Sequence, residues 1–186
     1  MKKTLFRILR YWLFGAVIVT GLSGMLYAVV QQDLRLNAND PQIQIAEDTA
    51  AALSSGQAVQ TLVPSTKVDI ASSLAPYLII FDATGKPIAT SAQLNGQTPT
   101  IPSGVFGSVR QNGEDRFTWQ PQVGVRSAVV VTQFKGANSG FVLAGRSLRE
   151  VEIRESDIQL DVTAGWLAML FATLVAAIVL FWKAPA

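Results

Sequence analysis

The sequence predicts an α+β fold, an antiparallel five-stranded sheet with packed helices, flanked by two transmembrane helices. Three observations predict it. Two uncharged apolar runs, residues 11–30 and 164–182, each have the length needed to cross a bilayer as a helix. Between them lie short segments rich in β-branched and aromatic residues, spaced by turn signals as in hairpins. Helical periodicity is confined to the segment ahead of those strands and to the final portion of the chain.

Composition narrows the function classes. The 186 residues leave room between the apolar runs for one water-soluble domain of roughly 130 residues, enough for a single core. Cysteine and histidine are both absent. That removes disulfides, thiolate sites, the commonest general base and the commonest transition-metal ligand. No enzyme activity, metal or cofactor is therefore expected. The net charge of +2 is uneven, with Lys2, Lys3, Arg7 and Arg10 crowding the first ten residues without an acid. The region between the runs is slightly acidic, so nucleic acid is not expected as a partner.

The basic residues 1–10 should stay in the cytoplasm and be followed by the first span, 11–30. An uncleaved anchor is favoured over a cleaved signal peptide because the run is too long for a signal core and no small-x-small cleavage site follows. Ala16, Thr20, Gly24 and Ala28 recur every fourth residue, a ridge that would let another helix approach closely. Small residues are also common in membrane helices generally, and the two explanations carry equal weight. The extracytoplasmic domain is expected over 31–156. Asp40-Pro41 is a good helix start, with Ile43, Ala46, Ala50 and Leu53 on one face and Gly56 as the stop. Residues 57–66 read as a loop and 68–74 as a short helix.

The segment around which the domain is organised is Tyr77 to Ser91. Tyr77 to Phe81 has the character of a strand buried on both faces. Asp82-Ala-Thr-Gly85 suits a type I turn with Gly85 in the left-handed position, and Pro87 places the returning strand, 88–91, at its start or at a sheet edge. Residues 93–104 form a long connection leading to a helical turn at 105–110. After a turn at 111–114, 116–120 alternates so that Phe117 and Trp119 share a face. Residues 125–134 are the most strand-like stretch, and a turn at 135–140 leads to a last strand, 141–146. The final portion is one helix, with a juxtamembrane part at 157–163, a second span at 164–182 and a cytoplasmic tail at 183–186. Ala164, Ala168, Ala172 and Ala176 repeat the ridge of the first span. The two ridges would pack within one chain or between two copies.

Several motifs have plainer explanations. Gly140 to Ser147 has the spacing of a phosphate-binding loop, but its four central residues are apolar and strand-forming. Ser65, Ser91 and Ser103 with Lys67 and Lys86 could form a Ser-Lys pair only if brought into hydrogen-bond reach, and their spacing does not suggest it. Glu150, Glu152, Glu155, Asp157 and Asp161 suit a solvated helix face better than a cation site. Arg126 stands alone in an uncharged strand, with Thr132 on its face, and Trp119 lies on the preceding strand. A guanidinium beside an aromatic would hold a small carboxylate or another anion, and the candidate ligand-binding residues are Arg126, Trp119, Tyr77 and Thr132. The simpler alternative, an edge-facing arginine that is solvated or paired with Asp82 or Glu114, is favoured.

The basic start, first span, long helix, Tyr-Leu-Ile-Ile-Phe-Asp-Ala-Thr-Gly-Lys hairpin and three further strands, then Gly-Phe-Val-Leu-Ala-Gly-Arg-Ser-Leu-Arg-Glu-Val-Glu leading into the second span, resemble the extracytoplasmic sensor region of bacterial membrane histidine kinases, the PAS-like Cache group. The resemblance covers nearly the whole chain but is one of architecture. It implies a multi-pass cell-membrane protein with both termini cytoplasmic, which binds a small ligand, often as a homodimer, and signals through its membrane helices. The family's HAMP linker and kinase do not follow the second span, so a separate membrane signalling partner is expected. The alternative is an interaction subunit that keeps the fold without the ligand.

Overall fold

The computed structural model describes residues 2–37, 40–136 and 138–182. The expected tail, 183–186, and Ala137 within the expected turn at 135–140 lie outside the described residues. Two compact units are present. One joins the chain up to Leu34 with the chain from Ile153 onward, and the other is Arg35–Glu152.

The first unit is a pair of antiparallel helices, drawn from α1 (Lys2–Asn37) and α5 (Arg149–Trp182). Both are long and apolar enough to cross a membrane, and most of their large side chains point outward, Phe14 at 71% and Leu180 at 68% exposure. The faces that meet carry Ile8, Trp12, Ser23 and Tyr27 on α1 and Val162, Trp166 and Ala177 on α5. Tyr11 stacks on Phe181 with ring centroids 4.7 Å apart, and the Trp12 indole donates to the Leu170 carbonyl at 3.1 Å. Of the expected ridges, Thr20 meets the partner helix, accepting from the Trp166 indole at 3.0 Å. Ala164, Ala168, Ala172 and Ala176 are all exposed, as are Gly24 and Ala28, and only Ala16 is half-buried.

The second unit is α+β. After α2 (Asp40–Ser54) and a single turn, α3 (Val59–Leu62), come β1 (Val68–Asp69), β2 (Tyr77–Asp82), β3 (Pro87–Thr90), β4 (Ala92–Gln93), α4 (Gly104–Asn112), β5 (Glu114–Gln122), β6 (Val125–Phe134) and β7 (Gly140–Ser147). Five strands form one antiparallel sheet in the order β3-β2-β7-β6-β5, as the hairpin spacing requires, with the last strand between the first and the fourth. The expected strands at 77–81, 88–91, 116–120, 125–134 and 141–146 correspond to these five. The helix expected from Asp40-Pro41 begins at Asp40, and the cap expected of the Asp40 side chain lies outside what the structure describes. Residues 68–74, expected as a helix, instead open with β1, which runs parallel to β4 through Val68↔Ala92 and Asp69↔Gln93. Asp69 Oδ1 then accepts from the Ala71 amide at 3.0 Å, a turn bond that competes with helix formation.

Alternation along the central strands divides the core in two. Val129 and Val131 of β6, with Phe141 and Leu143 of β7, pack with Tyr77, Phe81, Trp119, Phe106 and Val109, so α4 covers that face. Val130 and Phe134, with Val142 and Ala144, pack against Ala46, Ala50 and Leu53 of α2. Both faces of β2, β6 and β7 are thus buried, and each fully buried Val, Leu, Ile or Phe contributes about 1.5–3 kcal/mol of transfer free energy. A charge at Val130 would leave that face without a compensating partner and would break the sheet–α2 contact.

Candidate functional site

The turn between β2 and β3 anchors one end of the sheet. Asp82 Oδ1 accepts from the Thr84 amide at 2.8 Å, the Thr84 hydroxyl at 2.6 Å and the Lys86 amide at 3.0 Å. The Thr84 hydroxyl bond, then the Lys86 amide, hold the exposed Asp82 carboxyl below its ordinary range. Gly85 has φ +88°, the left-handed conformation that the sequence required, and its missing side chain admits the Phe106 ring. Arg110 closes the turn from α4 by donating to the Ala83 carbonyl at 2.8 Å, while its guanidinium lies 5.1 Å from the Phe141 ring centre.

Beside this turn opens a cleft of about 640 Å³. Leu53, Val59, Ile88 and Phe134 supply apolar lining; Gln57, Asp82, Thr84, Asn138 and Ser139 supply amide, hydroxyl and carboxylate groups. It suits a small uncharged or cationic molecule with hydroxyl or amide groups, because Asp82 is the one charged lining residue among the described residues. Sequence reasoning identified the Asp82 turn but missed the cleft. Its walls come from three segments distant in the chain, and only the strand order brings them together.

The four candidate ligand-binding residues do not converge. Tyr77 and Trp119 are buried in the α4-side core, at 2% and 5% exposure, whereas Arg126 and Thr132 lie on the alternate positions of β6, toward the opposite side. Trp119 pairs across the sheet with Ser127, the neighbour of Arg126, and a one-residue step along a strand reverses the side chain. Arg126 is instead ion-paired with Glu152, in the first turn of α5. Neither Asp82 nor Glu114 is its partner; Glu114 pairs with Arg116. Thr132 donates to the Gly113 carbonyl at 3.4 Å.

Tyr77 reaches over Gly145, and its phenol approaches Ser127, yet neither hydroxyl meets a hydrogen-bond partner with proper geometry. Burial pushes the phenol well above its ordinary value, only partly offset by the nearby Ser127 hydroxyl. Of the motif candidates, Ser91 is buried and its Oγ accepts from the Leu78 amide at 2.9 Å, and Lys67 donates to the Thr90 carbonyl, so both serve the hairpin. Gly140 to Ser147 is strand β7 throughout, a conformation unsuited to wrapping a phosphate. No group of three or more acidic side chains draws together to hold a metal among the described residues.

The start of α5 is stitched to the domain. Besides the Arg126–Glu152 pair, the Arg149 guanidinium donates to the Ser72 carbonyl at 3.0 Å and Arg146 Nε to the Leu74 carbonyl at 3.3 Å. The Leu148 amide continues the sheet by donating to the Arg126 carbonyl at 2.9 Å. Comparison with known proteins finds no matching family model and no similar curated protein.

Proposed function

We propose that this chain is a membrane-anchored sensor of the PAS-like Cache type, with both termini cytoplasmic and the α+β domain outside. The domain binds a small molecule in the cleft between α2, the β2–β3 turn and the segment before β7. A separate membrane partner reads the change through α5. The observation that carries this reading is the attachment of the first turn of α5 to β6 and to the loop at 72–74 by Arg126, Arg146 and Arg149. A ligand that favours one arrangement of the sheet then biases the helix that continues from it. The run of basic residues before the first apolar stretch supports the orientation.

A second reading, an interaction subunit without a ligand, draws support from the core. Side chains occupy both sheet faces, so no ligand is needed to complete the packing. A thermal-shift screen of the full chain in lipid nanodiscs separates the two readings, using sugars, amino acids, polyamines and organic acids. A ligand at one hundred times its Kd adds about 2.7 kcal/mol. The sensor reading expects a saturable shift that weakens in Gln57→Ala and Asn138→Ala and survives in Arg126→Ala. Silence across the panel, together with a partner protein that co-purifies in fixed ratio, contradicts it and favours the interaction subunit.

A further inference from the structure

We propose that the helix pair binds an anionic phospholipid at its cytoplasmic end, with the lipid phosphate on Arg7 and Arg10 of α1 and the acyl chains along the apolar side chains beside them. This rests on the membrane reading above. Charge there is unbalanced. Lys2, Lys3, Arg7 and Arg10 are the only charged side chains in residues 1–32, and Lys183 is the only one in 162–186. Neither arginine pairs with a carboxylate among the described residues, and Arg7 Nε is buried without a hydrogen-bond partner among them. Basic residues gathered at the cytoplasmic end of a span attract anionic headgroups.

The register of the two helices sets the depth of these arginines. The Trp166 indole donates to Thr20 Oγ1 at 3.0 Å and the Gln31 amide to Glu155 Oε1 at 2.7 Å, so residue 20 runs level with 166 and residue 31 with 155. Continued along the pair, that register sets Arg10 level with Ala176 and Arg7 level with Val179, while the apolar run of α5 continues to Trp182. The Phe181 ring agrees: Tyr11 stacks on it at 4.7 Å, and the Arg7 guanidinium lies 5.6 Å from its centre. At a rise of 1.5 Å per residue, the two arginines leave the helix about 5–9 Å inside the apolar end of α5. Side chains lean toward the N-terminus of their helix, here the cytoplasmic end, so both stems climb along apolar surface and bring their heads to the level of lipid phosphates.

A lipid suits this place better than a soluble anion or an acidic protein. Phe6 and Leu9 of α1, with Val179 and Leu180 of α5, are exposed at the same level. The occupant must therefore offer a negative group and hydrocarbon side by side. A soluble anion leaves the apolar side chains uncovered, and an acidic protein would bring its carboxylates against hydrocarbon at a high desolvation cost. The Phe181 ring also holds the Arg7 guanidinium in place while its donor edge stays open, and a phosphate meets that edge with two parallel N–H···O bonds.

Native mass spectrometry of the full chain, released from nanodiscs of phosphatidylglycerol and phosphatidylcholine in equal parts, reads the lipid it keeps. The wild type should retain phosphatidylglycerol several-fold over phosphatidylcholine. The double variant Arg7→Gln, Arg10→Gln should lose that preference several-fold, and Arg116→Gln in the α+β domain should keep it. Equal retention of the two lipids by the wild type overturns the proposal, as does a preference that survives the double substitution. Thermal unfolding of the wild type in neutral detergent needs no variant. Phosphatidylglycerol should raise the midpoint saturably and lose that effect in high NaCl, which screens the contact. Equal shifts from both lipids contradict the site, and a shift of the same size from inorganic phosphate alone would assign the arginines to a soluble anion instead. Carbonate extraction separates the two failures: a chain kept in the bilayer without lipid preference contradicts the site alone, whereas a chain released contradicts the membrane reading as well.

Discussion

Tyr77 and Gly145 face each other across β2 and β7, and the Tyr77 side chain fills the space that a side chain at 145 would need. A Cβ built on Gly145 would lie 2.5 Å from the phenol oxygen and 2.6 Å from Cε2. Gly145→Ala therefore forces the ring aside in a filled core and is expected to cost about 1–3 kcal/mol. Gly140→Ala should cost more, because there the added Cβ runs into the Phe81 carbonyl, which is backbone within the sheet. Chemical denaturation of the full chain in detergent, followed by near-ultraviolet circular dichroism, ranks the two. Equal stability of Gly145→Ala and wild type contradicts the packing described.

Removing the Tyr77 hydroxyl should be harmless or better in neutral solution. The phenol and Ser127 Oγ are both buried without a hydrogen-bond partner among the described residues, so Tyr77→Phe is expected to change stability by no more than about 1 kcal/mol and in the favourable direction. A loss beyond about 2 kcal/mol would reveal a buried water serving the hydroxyl.

The same phenol gives a pH signature. Its folded value is raised by burial above the ordinary 10.0, so the folded state keeps the proton that the unfolded state releases. Stability is fully present below pH 10 and falls as pH rises beyond it, by as much as about 1.4 kcal/mol per pH unit. Tyr77→Phe should flatten that alkaline decline, as measured by thermal unfolding between pH 9 and 11.

Asp82 acts in the opposite direction. Its folded value is lowered, chiefly by the Thr84 hydroxyl, so its contribution is present above its ordinary value of 3.8 and is lost as pH falls below it. Asp82→Ala should lower the midpoint at neutral pH and blunt the acid dependence, whereas Thr84→Val, lacking the hydroxyl donor, should produce part of both effects.

Arg126→Ala is expected to cost only about 0.2–1 kcal/mol, since both partners are partly exposed, 46% and 41%. Its larger effect should be local. Hydrogen exchange at the amides of 149–152 should quicken, and the double exchange Arg126→Glu with Glu152→Arg should restore protection. An unchanged exchange pattern in Arg126→Ala would detach the ion pair from the helix start.

The parts of the fold legible in the sequence were those fixed locally. Asp82 and Gly85 marked the hairpin through turn chemistry, and Ile43, Ala46, Ala50 and Leu53 marked the buried side of α2 through its period. The strand at Val68 and Asp69 is not legible locally, because its pairing with Ala92 and Gln93 is distant in sequence and too short to leave a pattern. Arg126 and Trp119 lie on neighbouring strands, but the register sets Trp119 opposite Ser127 and so turns Arg126 away from it. Glu152, the partner Arg126 finds, stood among acidic residues of a helix whose placement against β6 no local signal revealed.

Cysteine labelling in intact spheroplasts tests whether the α+β domain is extracytoplasmic and held by two membrane spans. Val123, 90% exposed at the β5–β6 turn, and Leu5, 68% exposed near the start of α1, give one reporter for each expected side. A membrane-impermeant maleimide should label Val123→Cys in intact spheroplasts and Leu5→Cys only after lysis. Protection of Val123→Cys until lysis, with a chain that still withstands carbonate extraction, would place the domain in the cytoplasm and contradict the account.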